Sequence, residues 1–301
     1  MTAPDTRTAP GERTAAPGRS WNRLAPGWVG LLMAAPLVAG MVLFVLYPLV
    51  RVFLRASSDG KVTERYVRVL TDPVSRNALT TTLLDSAFVV VLAVGLGSGI
   101  AWLLHTTRRR WVRVLLWTTA MVPFWMGVIV KNYSIFLMLS ANGPVNRALL
   151  AIGLIDQPLP LLFTKTAVVL GITYSMLPYA VLTLYSTFSQ VDTSLLVAAQ
   201  TLGATRLRAL ASVALPIARN GIGVSMALVF VLSIGFYVTP VLLGGAQAPF
   251  MASRINQQVF ALYDFPGASA SAAVLLLIAL GVVALVLWLA GSQAFRKAVQ
   301  Q

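Results

Sequence analysis

Few side chains in this 301-residue sequence could do chemistry, and their scarcity narrows what that chemistry is. There is one histidine, His105, and no cysteine. Disulfides, thiolate metal sites and cysteine nucleophiles are therefore excluded, and a histidine metal site or a Ser-His-Asp triad has a single ring to draw on. No Gly-x-x-x-x-Gly-Lys-[Ser/Thr] occurs and only four lysines are present, so the chain has no phosphate-cradling loop for ATP. What remains is Asp85, the one acidic residue placed inside an apolar run. A carboxylate there is a functional candidate by default: it attracts a cation, or it pairs with Lys131 or with a donor on a neighbouring helix. Later apolar runs carry Lys131, Asn132 and Tyr133, then Tyr237 and Thr239. Aromatic faces suit ammonium groups by cation–π attraction, while tyrosines near the ends of apolar runs also form the ordinary interfacial belt. His105 reads as an interfacial residue at a helix end.

The elements that must position these residues are too apolar for a soluble domain. Hydrophobic residues make up 57% of the chain and charged residues 11%, against about 25% charged in average domains. A bilayer must take the place of a buried core. The net charge of +14 sits at the ends of apolar runs, not in a patch interleaved with aromatics. It reads as topology signal and lipid headgroup contact, with no nucleic acid as partner.

Along the chain, residues 1–25 are rich in Thr, Ala, Pro, Gly and Arg without apolar period, which predicts a disordered tail. A first span follows over 28–50, too long for a signal-peptide core and without a cleavage site after it. Residues 51–76 are polar. The second span covers 78–104, near the roughly 20 residues a helix needs to cross hydrocarbon. Its alternating Gly95, Gly97 and Gly99 point to close helix packing and not to a dinucleotide fingerprint, since no strand precedes them. A basic turn with Arg108, Arg109, Arg110 and Arg113 leads to a third span over 114–139 that contains Pro123. Residues 142–164, with Pro158 and Pro160, read as a lid or interfacial segment. The fourth span, 167–188, is broken near Pro178, and the fifth is 221–243. The segment 244–267 then leads to a nearly uniform aliphatic sixth span over 268–290.

Six spans put both termini on one side. Lys and Arg are more numerous on the side of the tail, the basic turn and the 190–219 loop, although residues 51–76 work against that balance. The short Arg108–Arg113 turn is hard to translocate, so the termini are expected in the cytoplasm. The chain divides into a tail (1–25), a first span with an external segment (26–76), a five-helix core (77–292) containing the 190–219 loop, and a tail (293–301).

Residues 195–216, LLVAAQTLGATRLRALASVALP, form the polar interruption on which the second half turns. They read as two short helices joined at Gly203, the second stopped at Leu215-Pro216. The spacing of Ala198, Ala199, Gly203, Val213, Leu215 and Pro216 resembles the Glu-Ala-Ala docking loop of ABC importer permeases, with Val197 standing where the glutamate is expected. From residue 77 onward the chain is similar to the membrane subunit of a spermidine/putrescine-type ABC importer. The matching stretches include Pro123-Phe124-Trp125 before Lys131-Asn132-Tyr133, and Gly153-Leu154-Ile155-Asp156 before Pro158-Leu159-Pro160. They continue with Gly235-Phe236-Tyr237-Val238-Thr239-Pro240 through Leu243-Gly244-Gly245, and end with Gln257-Gln258-Val259.

The resemblance implies an all-α integral membrane protein: six transmembrane helices in the type I ABC importer permease fold, both termini cytoplasmic, in a bacterial inner membrane. It implies a cytoplasmic ABC ATPase dimer that holds ATP and Mg, with no cofactor in this chain. The other implied partners are a second permease subunit of different sequence, an external solute-binding protein and membrane lipid. Ala198, Ala199, Gly203, Ala204, Leu215 and Pro216 become the ATPase-coupling residues. Asp85, Lys131, Asn132, Tyr133, Tyr237 and Thr239 become the solute-pathway candidates. Within this architecture the cargo stays open between a polyamine and an aminophosphonate, another organic cation or a metal complex. An ion-coupled secondary transporter would need inverted repeats and several midplane ionisable groups, where the sequence offers only Asp85. A membrane enzyme would need a cluster of His, Asp, Glu or Cys at one face, and the sequence presents none.

Overall fold

The computed structural model describes residues 27–56, 62–245 and 248–299; the expected tail over 1–25 lies outside them. The chain separates into two units, Met1–Arg51 and Val52–Gln301. In the first, helix α1 (Gly27–Ala56) passes through Pro36 and Pro48 and continues across the unit boundary. Near its end the Arg51 Nε donates to the Tyr47 hydroxyl at 3.1 Å.

The second unit is helical throughout its described residues. Helix α2 (Val62–Thr71) is followed by α3 (Pro73–Thr106), α4 (Arg110–Trp125), α5 (Val128–Leu139), α6 (Pro144–Ala151) and α7 (Lys165–Phe188). Then come α8 (Thr193–Thr201), α9 (Arg206–Ala209), a π turn at Leu210–Ala214 and α10 (Leu215–Ile234). A second π turn at Pro240–Gly244 precedes α11 (Met251–Phe260) and α12 (Phe265–Val299). Among the described residues five helical segments are long and apolar enough to cross a membrane, α1 among them, and the bent α4–α6 run makes a sixth when it is counted as one span. Helix α12 runs on to Val299, through most of the expected C-terminal tail.

Local chemistry starts these helices. Asp72 caps α3, its carboxylate accepting from the Ser75 amide and hydroxyl at 2.9 Å each, with Pro73 in the first turn. Thr164 caps α7 by accepting from the Ala167 amide at 3.2 Å. Hydroxyls inside the spans bond back along their own helices, as Thr82 does to the Ala78 carbonyl at 2.7 Å and Ser233 to Val229 at 2.6 Å. Other buried hydroxyls in the spans, those of Ser86, Thr173, Ser175 and Ser271, have no hydrogen-bond partner.

Helices α3, α7 and α10 form the centre. They approach closely where side chains are small: a methyl group on Gly97 would sit 2.9 Å from the Ala180 Cβ, and one on Gly221 would collide with Thr187. Gly95 and Gly99 have nothing within 4 Å, so of the glycine row only Gly97 is a packing residue. Trp102 meets Phe188 edge to face at 5.5 Å where α3 and α7 end, and Thr183 donates to Ser225 at 2.8 Å between α7 and α10.

Four expectations are corrected. The third span is not one helix: α4 and α5–α6 bend by 112°, because Met126 and Gly127 take extended backbone with ψ of 134° and 147°. The fourth span is unbroken, α7 running through Pro178. The fifth span, α10, begins earlier than residue 221 and ends at Ile234, residues 235–244 forming a break and a π turn. Nor does Pro216 stop the helix that starts at Arg206. The π turn before it shifts the Leu215 amide onto the Leu210 carbonyl, and this i→i+5 register accommodates the donor that Pro216 lacks.

The contrast between glycines gives a direct check. Gly97→Val should lower thermal stability in detergent by about 1–3 kcal/mol through overpacking, whereas Gly95→Val should leave it nearly unchanged. Equal effects of the two would remove the close α3–α7 approach as a stability determinant.

Candidate functional site

The 190–219 loop is built from local backbone rules. Asp192 begins α8, its Oδ1 accepting from the Ser194 amide at 2.8 Å. That bond, and then the Ser194 hydroxyl, hold its carboxyl below the usual carboxylate range. Helix α8 ends in a Schellman turn: the Ala204 amide bonds the Ala199 carbonyl and the Gly203 amide bonds that of Gln200, both at 3.0 Å. Gly203 has φ +91° with nothing within 4 Å of a would-be Cβ. Backbone conformation, not space, demands glycine there.

This turn brings Ala199 and Ala204 together against Leu196, Ala209 and Ala214, and Trp102 of α3 packs on the same cluster. Thr205 starts α9 by accepting from the Arg208 amide at 3.3 Å. Ala198 points outward, as do Val197, Leu202 (89% exposed) and Leu207 (79% exposed). Leu215 and Pro216 are exposed at the start of α10. The loop is thus a capped helix pair fixed to the bundle by an apolar cluster, with an apolar outer surface. Trp102 is the member sequence reasoning missed; its aromatic type one turn before the basic turn was the available signal.

The pathway candidates separate into different environments. Asn132 and Thr239 are fully buried and bonded to each other, the Thr239 hydroxyl donating to the Asn132 Oδ1 at 2.7 Å. The Asn132 Nδ2 donates to the Val128 carbonyl at 2.8 Å. Together they tie the first turn of α5 to the break before the second π turn. Tyr133 is exposed and lies parallel to Phe136, ring centres 6.1 Å apart. Tyr237 is exposed in the break after α10.

Lys131 is buried, and no ion pair joins it to Asp85 among the described residues. Asp85 is 7% exposed and its Oδ2 has no hydrogen-bond partner. His105 lies beside Trp102, ring centres 5.8 Å apart, with its Nε2 buried. Among the described residues no three His, Asp or Glu side chains gather as a metal site would require.

Several spanning helices around α3, α7 and α10, interrupted by a capped helix pair at one end, define a multi-pass membrane permease. The chain belongs to the family of binding-protein-dependent transport system inner membrane components, which its residues 92–296 match. It is 31% identical over 277 residues to the spermidine/putrescine transport system permease protein PotB of Escherichia coli K12, covering 89% of this chain and 99% of that one. It is also 31% identical over 229 residues to the molybdenum transport system permease protein ModB of Mycobacterium bovis, covering 76% and 78% of the two. The same fold occurs in the crystal structure of a bacterial alginate ABC transporter in complex with alginate pentasaccharide-bound periplasmic protein. That match has a TM-score of 0.72 at 16% identity and covers 86% of this chain and 92% of the other.

Two measurements probe these arrangements. Thr239→Val leaves the buried Asn132 oxygen unpaired and should cost about 1–3 kcal/mol in detergent unfolding; adding Asn132→Leu should recover part of that loss. The Asp192 cap holds while its carboxylate is ionised, so it is complete above the unfolded value of about 3.9 and lost as pH falls through the lower folded one. Amide exchange in α8 should therefore accelerate only at that acidic limit, and at every pH in Asp192→Ala.

Proposed function

We propose that this chain is one permease subunit of an ATP-driven importer for spermidine, putrescine or a similar small organic cation. Its spans form the solute path, and the loop around Gly203 docks in the groove of a cytoplasmic ATPase. The observation that carries this reading is the loop itself: a Schellman-capped helix pair anchored through Trp102, with Leu202 and Leu207 presented outward. Such a pair moves as a rigid body. Closure of an ATP-loaded partner would be transmitted to α3 and α10 and switch the spans between outward-open and inward-open arrangements.

In this reading the termini and the loop are cytoplasmic, ATP and Mg stay on the ATPase dimer, and this chain has no ATP site of its own. A second permease of different sequence completes the path, and an external solute-binding protein delivers cargo. Ala198, Ala199, Gly203, Ala204, Leu215 and Pro216 form the coupling surface by shape. Val197 at the glutamate position removes one polar contact to the ATPase. Asp85, with Lys131, Tyr133 and Tyr237, supplies the charge and aromatic faces of the path, while Asn132 and Thr239 brace it.

The polyamine assignment is supported by the near end-to-end similarity to a spermidine/putrescine permease. A metal-complex or oxyanion cargo is the second reading, favoured by equal identity to a molybdenum permease over a shorter stretch.

The test is uptake of labelled spermidine by cells with and without this chain, with its own system's ATPase and binding protein supplied. The competitors are putrescine, an aminophosphonate and molybdate. Chain-dependent uptake competed by putrescine supports the reading, and competition by molybdate alone replaces the cargo. Gly203→Asp should abolish uptake at unchanged membrane levels, since its backbone conformation disfavours any side chain; normal uptake would remove the docking role. Asp85→Asn should weaken uptake of the cation if the carboxylate meets the solute.

A further inference from the structure

At the end of the bundle opposite the Gly203 loop, α2, α11 and the starts of α3 and α12 enclose a cavity of about 210 Å³. Its lining mixes both signs of charge: Arg65, Arg68 and Arg254 against Asp72 and Asp264. Neither carboxylate is idle. Asp72 accepts from Ser75 at the start of α3, and the Asp264 Oδ1 accepts from the Gly267 amide at 2.9 Å in the first turn of α12. The Ser75 amide and hydroxyl, then Arg254 and Arg68, keep the Asp72 carboxyl below the usual carboxylate range.

Two polar groups at this cavity lack partners. Gln258 is 6% exposed and its buried Oε1 accepts no hydrogen bond; the buried Nε of Arg254 donates none, although its neighbouring NH1 reaches the Gln257 Oε1 at 3.0 Å. Arg254 and Gln258 are four residues apart on α11, hence on one face. One occupant that accepts from Arg254 and donates to Gln258 would satisfy both. A simple anion supplies only acceptors and a simple cation only donors, whereas a zwitterion, like water, supplies both. Arg68 and Arg254 beside Asp72 and Asp264 give the lining both signs of charge.

The depth of the cavity identifies the source. Asp72 and Asp264 immediately precede the membrane-spanning segments Pro73–Thr106 and Phe265–Val286, so the cavity lies where hydrocarbon gives way to headgroups. Beside it the α11–α12 turn exposes Phe260 and Tyr263, the latter 73% exposed and held at φ +53°. Aromatic side chains at that level are suited to the lipid interface. At about 210 Å³ the cavity has space for a phosphate and a short amine arm.

We propose that this cavity is a headgroup site for an amine-bearing phospholipid, its phosphate on Arg254 and Arg68 and its ammonium on Gln258, Asp72 and Asp264. The lipid then bridges α2 and α11 to the starts of α3 and α12. The site is independent of the cargo assignment, since it requires only the membrane setting.

The test is native mass spectrometry of the full chain in detergent, titrated with dihexanoyl phosphatidylethanolamine. The comparison probes are the matching phosphatidylcholine, which has no N–H donor, phosphatidylglycerol, which has no ammonium, and inorganic phosphate. Phosphatidylethanolamine should bind, and Gln258→Leu and Arg254→Gln should each weaken it about tenfold, as loss of a charge-assisted or buried hydrogen bond would. Gln258→Leu nearly preserves side-chain volume, and the headgroup series on the unaltered chain decides the matter if Arg254→Gln fails to fold. Equal binding of phosphatidylcholine, or variants that bind like the unaltered chain, would overturn the proposal. Binding of inorganic phosphate without any lipid would assign the cavity to a free anion instead.

Discussion

Inside a bilayer, a backbone amide or carbonyl that loses its partner has no water to take its place. The structure depends on that constraint. Regular helix solves it along most of each span, so the informative places are where helix is interrupted. At the bend after α4, the first turn of α5 is held by Asn132, which bonds the Val128 carbonyl and receives the Thr239 hydroxyl. For the segment after α6, Asn146 within that helix plays the equivalent part. Fully buried, it donates to the Ser140 and Leu159 carbonyls and accepts the Leu159 amide at 2.9 Å, pinning the two-proline segment that leads to α7.

The same constraint explains how proline is tolerated. Pro178 lies inside α7 and Pro216 near the start of α10, each removing one donor from its helix. At Pro216 the preceding π turn absorbs the change of register, so a continuous rod runs from Arg206 to Ile234. The loop end is thereby joined to the middle of the bundle by unbroken helix. A helix stopped at Pro216 would have placed a joint between the loop and the spans.

The loop and the bundle are also joined sideways. Trp102 packs on Phe188 and on the cluster that contains Ala199, Ala204 and Ala214. Small residues in the loop therefore serve two purposes: Ala199 and Ala204 let the turn close on itself and let the indole approach, while Ala198 keeps the outer surface low. The outward Leu202 and Leu207 give that surface its apolar character.

The sequence by itself determined what rests on composition and short-range geometry. Long apolar runs required membrane helices, since a bilayer admits no other continuous solution for chains of this length and period. The Ala199, Gly203 and Ala204 spacing was legible for the same reason: a Schellman turn is closed within six residues, so its pattern is complete in the local sequence. Tertiary structure decided the rest. It paired Asn132 with Thr239 across 107 positions and set the Thr82 hydroxyl beneath the Met251 amide across 169. It also left the Asp85 Oδ2 without a hydrogen-bond partner and Asp85 not bonded to Lys131. These pairings depend on helix register and on the bend at Gly127, which many small-residue approaches fix together. No local pattern contains that sum, so partners far apart in the chain became known only once the helices were packed.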